Sequence, residues 1–394
     1  MKLIFWLTFG MLFYCFIGYA VLIWLLVQLK GLFVSKKLNE PFELPEMSFV
    51  VAAYNESAFI ETKIQNTLSV KYPEDKLKLI FITDGSDDGT REIVQKYPQI
   101  INYHQQGRKG KAAALNRVME TITTPIVVFS DANTNLNKNA LISLAIKYAD
   151  AGIGGVSGEK KVVLSTSENQ QGIGEGLYWK YESFLKKQES QFYSIVGSAG
   201  ELFSIRTALF KPIPSHIILD DFYTALTINQ QGYKIAYEPG AFAIETPSAS
   251  LADEQVRKVR IAAGAFQVSF KFTGLLNFFK HPAFSFQYFS HKILRWYFAP
   301  VSIILLLVSN YYNHAEADFY RWFWYAQLAF YCIALMGWIL QKAKRVIPLF
   351  YFPFYFLFMN YCTVVGLYRY LSGKQNVLWK KSKRETTEDK PINQ

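Results

Sequence analysis

Five short clusters in this chain carry side chains able to do chemistry. Asp84-Gly85-Ser86-Asp87-Asp88-Gly89-Thr90 packs three carboxylates and two glycines into one turn. An ionised carboxylate only accepts hydrogen bonds, so it can hold a ribose hydroxyl or a base N–H. Ser, Asp and Gly are equally what helix starts use. The ligand role fits Asp84, at a strand end, while capping explains Asp87 and Asp88 at least as well. Gly107-Arg108-Lys109-Gly110-Lys111 sets three cations before Ala112-Ala113-Ala114-Leu115-Asn116. A helix start already draws anions, and added Lys or Arg suits a diphosphate; a solvated basic turn is the plainer reading. In Ser130-Asp131-Ala132-Asn133-Thr134 two oxygen-bearing side chains stand at i and i+2. Both can approach one hard cation such as Mg²⁺ or Mn²⁺ shared with phosphates, although Asx residues also simply end strands. Asp220-Asp221-Phe222 follows the apolar Ile217-Ile218-Leu219. A carboxylate beside a second carboxylate and apolar walls has a raised pKa and suits general-base work; the alternative is a capping pair. Arg257 and Arg260, three apart, share one helical face that could neutralise a leaving diphosphate or simply face water or lipid.

These clusters need a scaffold that brings strand ends together. Residues 47–53 (MSFVVAA), 77–83 (LKLIFIT) and 125–130 (PIVVFS) are short runs rich in Val, Ile and Phe. Helix-like segments follow at 57–71, 88–97 and 109–122. Such alternation predicts an α/β domain with a parallel sheet and helices on both faces. Ligands in open α/β sheets bind beyond the carboxyl ends of the strands. Tyr54-Asn55-Glu56, Asp84-Gly85-Ser86 and Asp131-Ala132-Asn133 stand there. No G-x-G-x-x-G follows the first strand and no Walker A pattern occurs, which argues against dinucleotide and P-loop ATP binding. Asn55-Glu56-Ser57 matches a glycosylation acceptor pattern but falls inside this site, on the side expected to face the cytoplasm.

Composition places the domain at a membrane. Of 394 residues 51% are hydrophobic and 17% aromatic, and the net charge is +11. Aromatic rings settle at membrane interfaces. No basic run interleaved with aromatics looks like a nucleic-acid motif, so the positive charge points to lipid headgroups and a phosphate-bearing substrate rather than nucleic acid. Cys15, Cys332 and Cys362 lie in apolar stretches and read as filler. Residues 3–29 carry no charge and can cross about 30 Å of hydrocarbon. They lack a small-residue cleavage site, so they read as a retained anchor. Lys30, Lys36 and Lys37 follow it, which places the next region in the cytoplasm of a bacterial-type plasma membrane. The expected organisation is an anchor at 1–34, a cytoplasmic domain at 45–265, an amphipathic interfacial segment at 266–296, two or three spans at 297–372, and a basic cytoplasmic tail at 373–394. Whether 346–371, broken by Pro348 and Pro353, crosses fully stays open at this stage.

In order along the chain, these motifs resemble the family 2 inverting glycosyltransferases, the group holding cellulose, hyaluronan and poly-N-acetylglucosamine synthases. The resemblance rests on Val51-Ala52-Ala53-Tyr54-Asn55-Glu56, the Asp84 turn, Gly110-Lys111 with Ala114-Leu115-Asn116, and Asp131-Ala132-Asn133. It continues through Gly197-Ser198-Ala199-Gly200-Glu201-Leu202-Phe203-Ser204-Ile205-Arg206, Asp220-Asp221, Gln231-Gly232-Tyr233 with Tyr237-Glu238-Pro239, and Gly373-Lys374-Gln375 with Trp379. It implies a GT-A type Rossmann-like fold flanked by transmembrane helices. Ala53, Tyr54 and Glu56 would line the nucleotide pocket, Asp84 would hold a uridine, and Lys111 would touch the diphosphate. Asp131 and Asn133 stand where the family binds Mg²⁺ or Mn²⁺, Asp131 also serving the donor. Asp221 matches the general base. Asp220, Glu201, Arg257, Arg260 and Trp179 are assigned to the acceptor and diphosphate. Two departures stand out: Asp-x-Asp reads Asp-Ala-Asn, and Gln-x-x-Arg-Trp reads Arg257-Lys258-Val259-Arg260-Ile261. The lost Trp favours single addition to a lipid-linked or glycan acceptor, or a synthase needing partner subunits, over a self-sufficient processive one. The competing classes are a catalytically silent sugar-nucleotide-binding scaffold and a transporter; nearly charge-free spans oppose the transporter.

Overall fold

The computed structural model describes residues 1–33, 42–162, 171–245, 250–343, 345 and 347–377, without the side chains of 171–175 and 177. Lys36, Lys37, Trp379 and the basic run of the tail lie outside the described residues. The chain divides into an α/β unit (37–163, 197–254 and 376–394) and a helical unit (1–36, 164–196 and 255–375).

The α/β unit is built on β1 (Met47–Ala53), β2 (Leu77–Asp84), β3 (Ile101–Gln105), β4 (Ile126–Asp131), β5 (Thr134–Leu136), β6 (Ile153–Val162), β7 (Leu202–Arg206) and β8 (Lys234–Glu245). They form one sheet in the order β3-β2-β1-β4-β7-β6-β8-β5. The continuous apolar runs of β1 and β4 are buried on both faces, as central strands of a covered parallel sheet must be. The expected parallel sheet holds for β1 to β4, but the full sheet is mixed. β7 runs antiparallel to β4 and β6, and β5 antiparallel to β8. The amphipathic Ile101-Asn102-Tyr103-His104-Gln105 segment adds an edge strand that pattern reading passed over.

Register places the chemistry. Ala53 pairs with Thr83, and Ala52 with Asp131, so β1, β2 and β4 end side by side. Because β7 is antiparallel, Ser130 opposite Leu202 sets Glu201 beside the end of β4. Thr134 opposite Glu245 does the same for the end of β8. Met47, Phe49, Val51, Ile60, Ile64, Phe81, Val128 and Leu144 belong to the core that fixes this register.

Among the described residues, the helical unit holds four helices long and apolar enough to cross a membrane: Lys2–Phe33, Pro282–Asn313, Asp318–Lys342 and Pro348–Leu371. Residues 282–296 of the expected interfacial segment lie inside the second of these, in part as a π-helical stretch, Phe289–Phe298. Residues 266–271 instead finish the Leu251–Lys271 helix. The third C-terminal stretch is helical through Pro353. Phe5, Leu306 and Tyr320 pack together, while Trp6, Leu7, Ile304, Trp322 and Phe352 remain exposed, as lipid-facing side chains would be.

Candidate active site

The turns after β1 and β2 are tied to each other by side chains. Asn55, at φ +53°, donates from Nδ2 to Asp87 Oδ1 (2.7 Å), and its Oδ1 accepts from Asp87 N (3.1 Å). Asp88 accepts from Ser57 N (3.0 Å) and Thr90 N (3.1 Å), so it serves two helix starts. Asp87 and Asp88 therefore do the turn and capping work. Asp84, only 4% exposed, accepts from Lys109 N (3.0 Å) and Gly110 N (2.6 Å) through Oδ2 and meets Arg117 Nη2 at 3.4 Å through Oδ1. In this structure its carboxylate holds the 107–110 loop. Gly85 is required there: at φ +70° a Cβ would stand 2.5 Å from Arg108 N. The Arg108 guanidinium then lies 3.8 Å from the ring centre of Tyr54.

Next to this loop, Lys111 opens the Lys111–Met119 helix. Its Nζ meets Asp131 Oδ1 at 2.8 Å and Asp220 Oδ2 at 3.5 Å. Asp220 and Asp221 open the Asp220–Gln230 helix, where the N-terminal dipole favours anions. Lys111, Asp220 and Asp221 line a small pocket whose walls include Leu115, Phe129 and Phe203. Burial and the neighbouring Asp220 carboxylate push Asp221 up to about 7. Burial also raises Asp131, against the pull of Lys111. Burial alone would lower the Lys111 ammonium, but Asp131, Asp220 and Asp221 outweigh it and hold it above the usual lysine value. Gly200 lets the backbone come close, since a Cβ there would sit 3.2 Å from Asp221 Oδ2.

Lys160 braces the other side of Asp131. It is buried and pairs with Glu201 Oε1 (2.5 Å) and with Glu245. Burial alone would raise Glu201, but Lys160 outweighs it and holds it below the ordinary value. Asn133 Nδ2 faces Glu245 Oε1 at 3.4 Å. A carboxylate accepts only, so it is the amide nitrogen that turns to Glu245 and the amide oxygen that turns away. Among the described residues no three His, Cys, Asp or Glu side chains gather to hold a metal by themselves. Asp131 and the Asn133 amide are a hard-oxygen pair. It fits a divalent cation whose remaining ligands come from a bound diphosphate and water.

This pocket lies in a region that matches known proteins. The model for glycosyl transferase family 2 matches residues 48–213. Residues 48–213 are a glycosyl transferase family 2 domain. A poly-beta-1,6-N-acetyl-D-glucosamine synthase of Staphylococcus aureus (strain COL) is 27% identical over 241 residues, covering 57% of this chain and 56% of the relative. The match thus spans about half the length of that curated relative. A probable glycosyltransferase YdaM of Bacillus subtilis (strain 168) is 23% identical over 381 residues, 87% of each chain. Among solved structures, the mannosyltransferase PcManGT from Pyrobaculum calidifontis, in complex with GDP-Man and Mn²⁺, superposes with a TM-score of 0.68. That superposition covers 95% of this chain and 98% of the mannosyltransferase at 20% identity, so the GT-A-like fold is shared.

The α/β unit brings Lys111, Asp131, Glu201, Asp220 and Asp221 of the expected site residues into one neighbourhood. Ala53 closes β1, Tyr54 lies under Arg108, and Glu56 precedes the Ser57–Leu68 helix, its N–H donating to Thr90 Oγ1 at 2.9 Å. Trp179, Arg257 and Arg260 belong to the helical unit. There, Lys258 stands over the rings of Tyr178 (5.3 Å) and Trp179 (5.8 Å), with Lys186 5.4 Å from Trp179. Sequence reading missed Lys63, Lys160 and Glu245. Lys63 carried a usable signal: it falls in the apolar stripe Ile60, Ile64, Thr67 of its helix. Lys160 and Glu245 carried none, because only strand register joins them.

Proposed function

We propose that this protein is a membrane glycosyltransferase that moves a sugar, with inversion, from a nucleotide-sugar to a lipid-linked or growing glycan acceptor. The observation that carries the reading is the carboxylate pair Asp220–Asp221 beside Lys111 and Asp131 at the carboxyl end of the sheet. With its pKa near neutral, Asp221 can take the proton of an acceptor hydroxyl at working pH. The freed oxygen attacks the anomeric carbon in line, the C–O bond to the diphosphate breaks, and that electron pair leaves with the diphosphate. Lys111 meets the charge that develops there. Asp220 keeps Asp221 basic, and Glu201 with Lys160 fixes the wall behind Asp131. Asp131 and Asn133 would hold Mg²⁺ or Mn²⁺, whose contribution is to neutralise the diphosphate. Asp84 holds the 107–110 loop against the nucleoside side, where Ala53, Tyr54 and Glu56 contribute the floor for a UDP-linked donor. Trp179, Arg257 and Arg260 serve the acceptor or the diphosphate.

The Staphylococcus relative's name supports a polysaccharide or glycolipid product. The altered Arg257–Ile261 motif supports single addition or a synthase working with partner subunits. Lys30 after the first span supports a cytoplasmic domain in a plasma membrane.

Release of free nucleoside diphosphate by the detergent-purified chain tests the reading. A panel of UDP- and GDP-sugars would be assayed with and without Mg²⁺ or Mn²⁺, alongside Asp131→Ala and Asp221→Asn. Metal-dependent release from one donor, lost in both variants, is the expected result. Donor binding without turnover in the parent, unchanged in both variants, would favour the silent scaffold.

A further inference from the structure

Among the described residues of the family 2 domain, Lys63 is the one buried cation that the mechanism leaves unused. Its side chain is 1% exposed, on the inward face of the Ser57–Leu68 helix between Ile60 and Thr67. Among the described residues no carboxylate pairs with it. Instead Nζ donates to Ser130 Oγ (2.7 Å), Thr134 O (2.9 Å) and Thr134 Oγ1 (3.4 Å). Ser130 immediately precedes Asp131, and Thr134 immediately follows Asn133. One ammonium thus joins the two ends of the turn that carries both proposed metal ligands. The same turn is fixed again by Thr134 Oγ1 donating to Asp131 O (3.0 Å) and Ser130 Oγ donating to Glu201 O (3.0 Å). An unpaired ammonium in a core is costly. A methionine would fill the same space without that cost, so what the lysine adds is the three bonds to the turn.

We propose that Lys63 is a positioning residue: from inside the core it clamps residues 130 and 134 and so sets the spacing of the Asp131 and Asn133 oxygens for a divalent cation. The inference rests on the metal reading of those two residues. Partners behind metal ligands are typically worth about 10–100-fold in metal affinity.

The test measures Mn²⁺ binding by electron paramagnetic resonance on the full-length detergent-purified chain, with UDP or GDP present, for the parent, Lys63→Met and Ser130→Ala. UDP and GDP binding without metal and the melting temperature are measured in parallel. The expected result is Mn²⁺ binding weakened about 10-fold or more in Lys63→Met and less in Ser130→Ala. Metal-free nucleotide binding stays unchanged, and in turnover the half-saturating metal concentration rises while kcat at saturating metal stays within about 3-fold. Equal Mn²⁺ affinity in the parent and in whichever variants fold overturns the role of Lys63 and leaves the metal site standing. A parent that binds no Mn²⁺ with either nucleotide overturns the metal site itself, and this inference with it.

Discussion

Each unit of this molecule buries a charged cluster, and the two clusters are built differently. In the α/β unit, Lys111 is shared among Asp131, Asp220 and Asp221, carboxylates are in excess, and the cluster opens on a pocket. Asp221 answers with a pKa moved to about 7. In the helical unit, Glu182 meets Arg295 Nη1 (2.6 Å), His291 Nε2 (3.3 Å) and Lys292 Nζ (3.5 Å). Glu189 accepts from Tyr19 OH (2.7 Å) and pairs with His291 Nδ1 (2.7 Å). These bonds join the Lys2–Phe33, Gln171–Phe192 and Pro282–Asn313 helices, with cations and carboxylates answering one another. Burial alone would raise the Glu182 carboxyl, but Lys292, Arg295 and His291 outweigh it and hold it well below the usual carboxylate range. Unbalanced charge beside open space is poised to gain a ligand or lose a proton, whereas matched charge in closed packing holds helices together.

Replacing one acid in each cluster tries that contrast hardest. Asp221→Asn should cut turnover by about 10²–10⁴-fold with the melting temperature nearly unchanged, as read by nucleoside diphosphate release and thermal unfolding. Glu182→Gln should do the reverse. It strands Arg295 and Lys292 without their carboxylate, so stability should fall by about 3–5 kcal/mol while UDP binding by the folded fraction persists. Lost turnover at unchanged stability in Glu182→Gln would erase the distinction.

A finer test uses the pH profile. Asp221 acts only when deprotonated, so kcat should rise with pH through about 7. Asp220→Asn removes the neighbouring negative charge, lowers the Asp221 pKa and should move that rising limb to lower pH. An unmoved limb would assign the titration to another group.

Lys63 offers the smallest effect. Burial lowers its ammonium from the ordinary 10.5 to about 7. Below pH 7 both folded and unfolded chains carry the proton and the full cost of the buried charge is present. As pH climbs from 7 towards 10.5 the folded state sheds the proton first and that cost fades. The stability of the parent relative to Lys63→Met should therefore improve across that window, as followed by melting temperature. A flat difference would mean that Lys63 keeps its proton in the fold and that burial does not lower its pKa.

Much of the site could be read from strand ends. The runs at 47–53 and 125–130 and the second half of that at 77–83 are buried on both faces, as central strands are, so their carboxyl ends and the acids after them were fixed by pattern. Ile101–Gln105 was missed because an edge strand, half exposed, has no continuous apolar run.

The sequence alone determined the strand–helix alternation, the membrane-length apolar helices and the identity of the acids and cations, because periodicity and residue type are local properties. Only the tertiary structure decided their use. The antiparallel insertion of β7 brought Glu201 to Asp131, and β8 brought Glu245 to Asn133. Lys63 and Lys160 became braces because the sheet closed over them. Pairings between residues 41 positions apart (Lys160–Glu201) to 112 apart (Asn133–Glu245) follow from strand register, and burial sets which charges stay matched; neither is written in a local window.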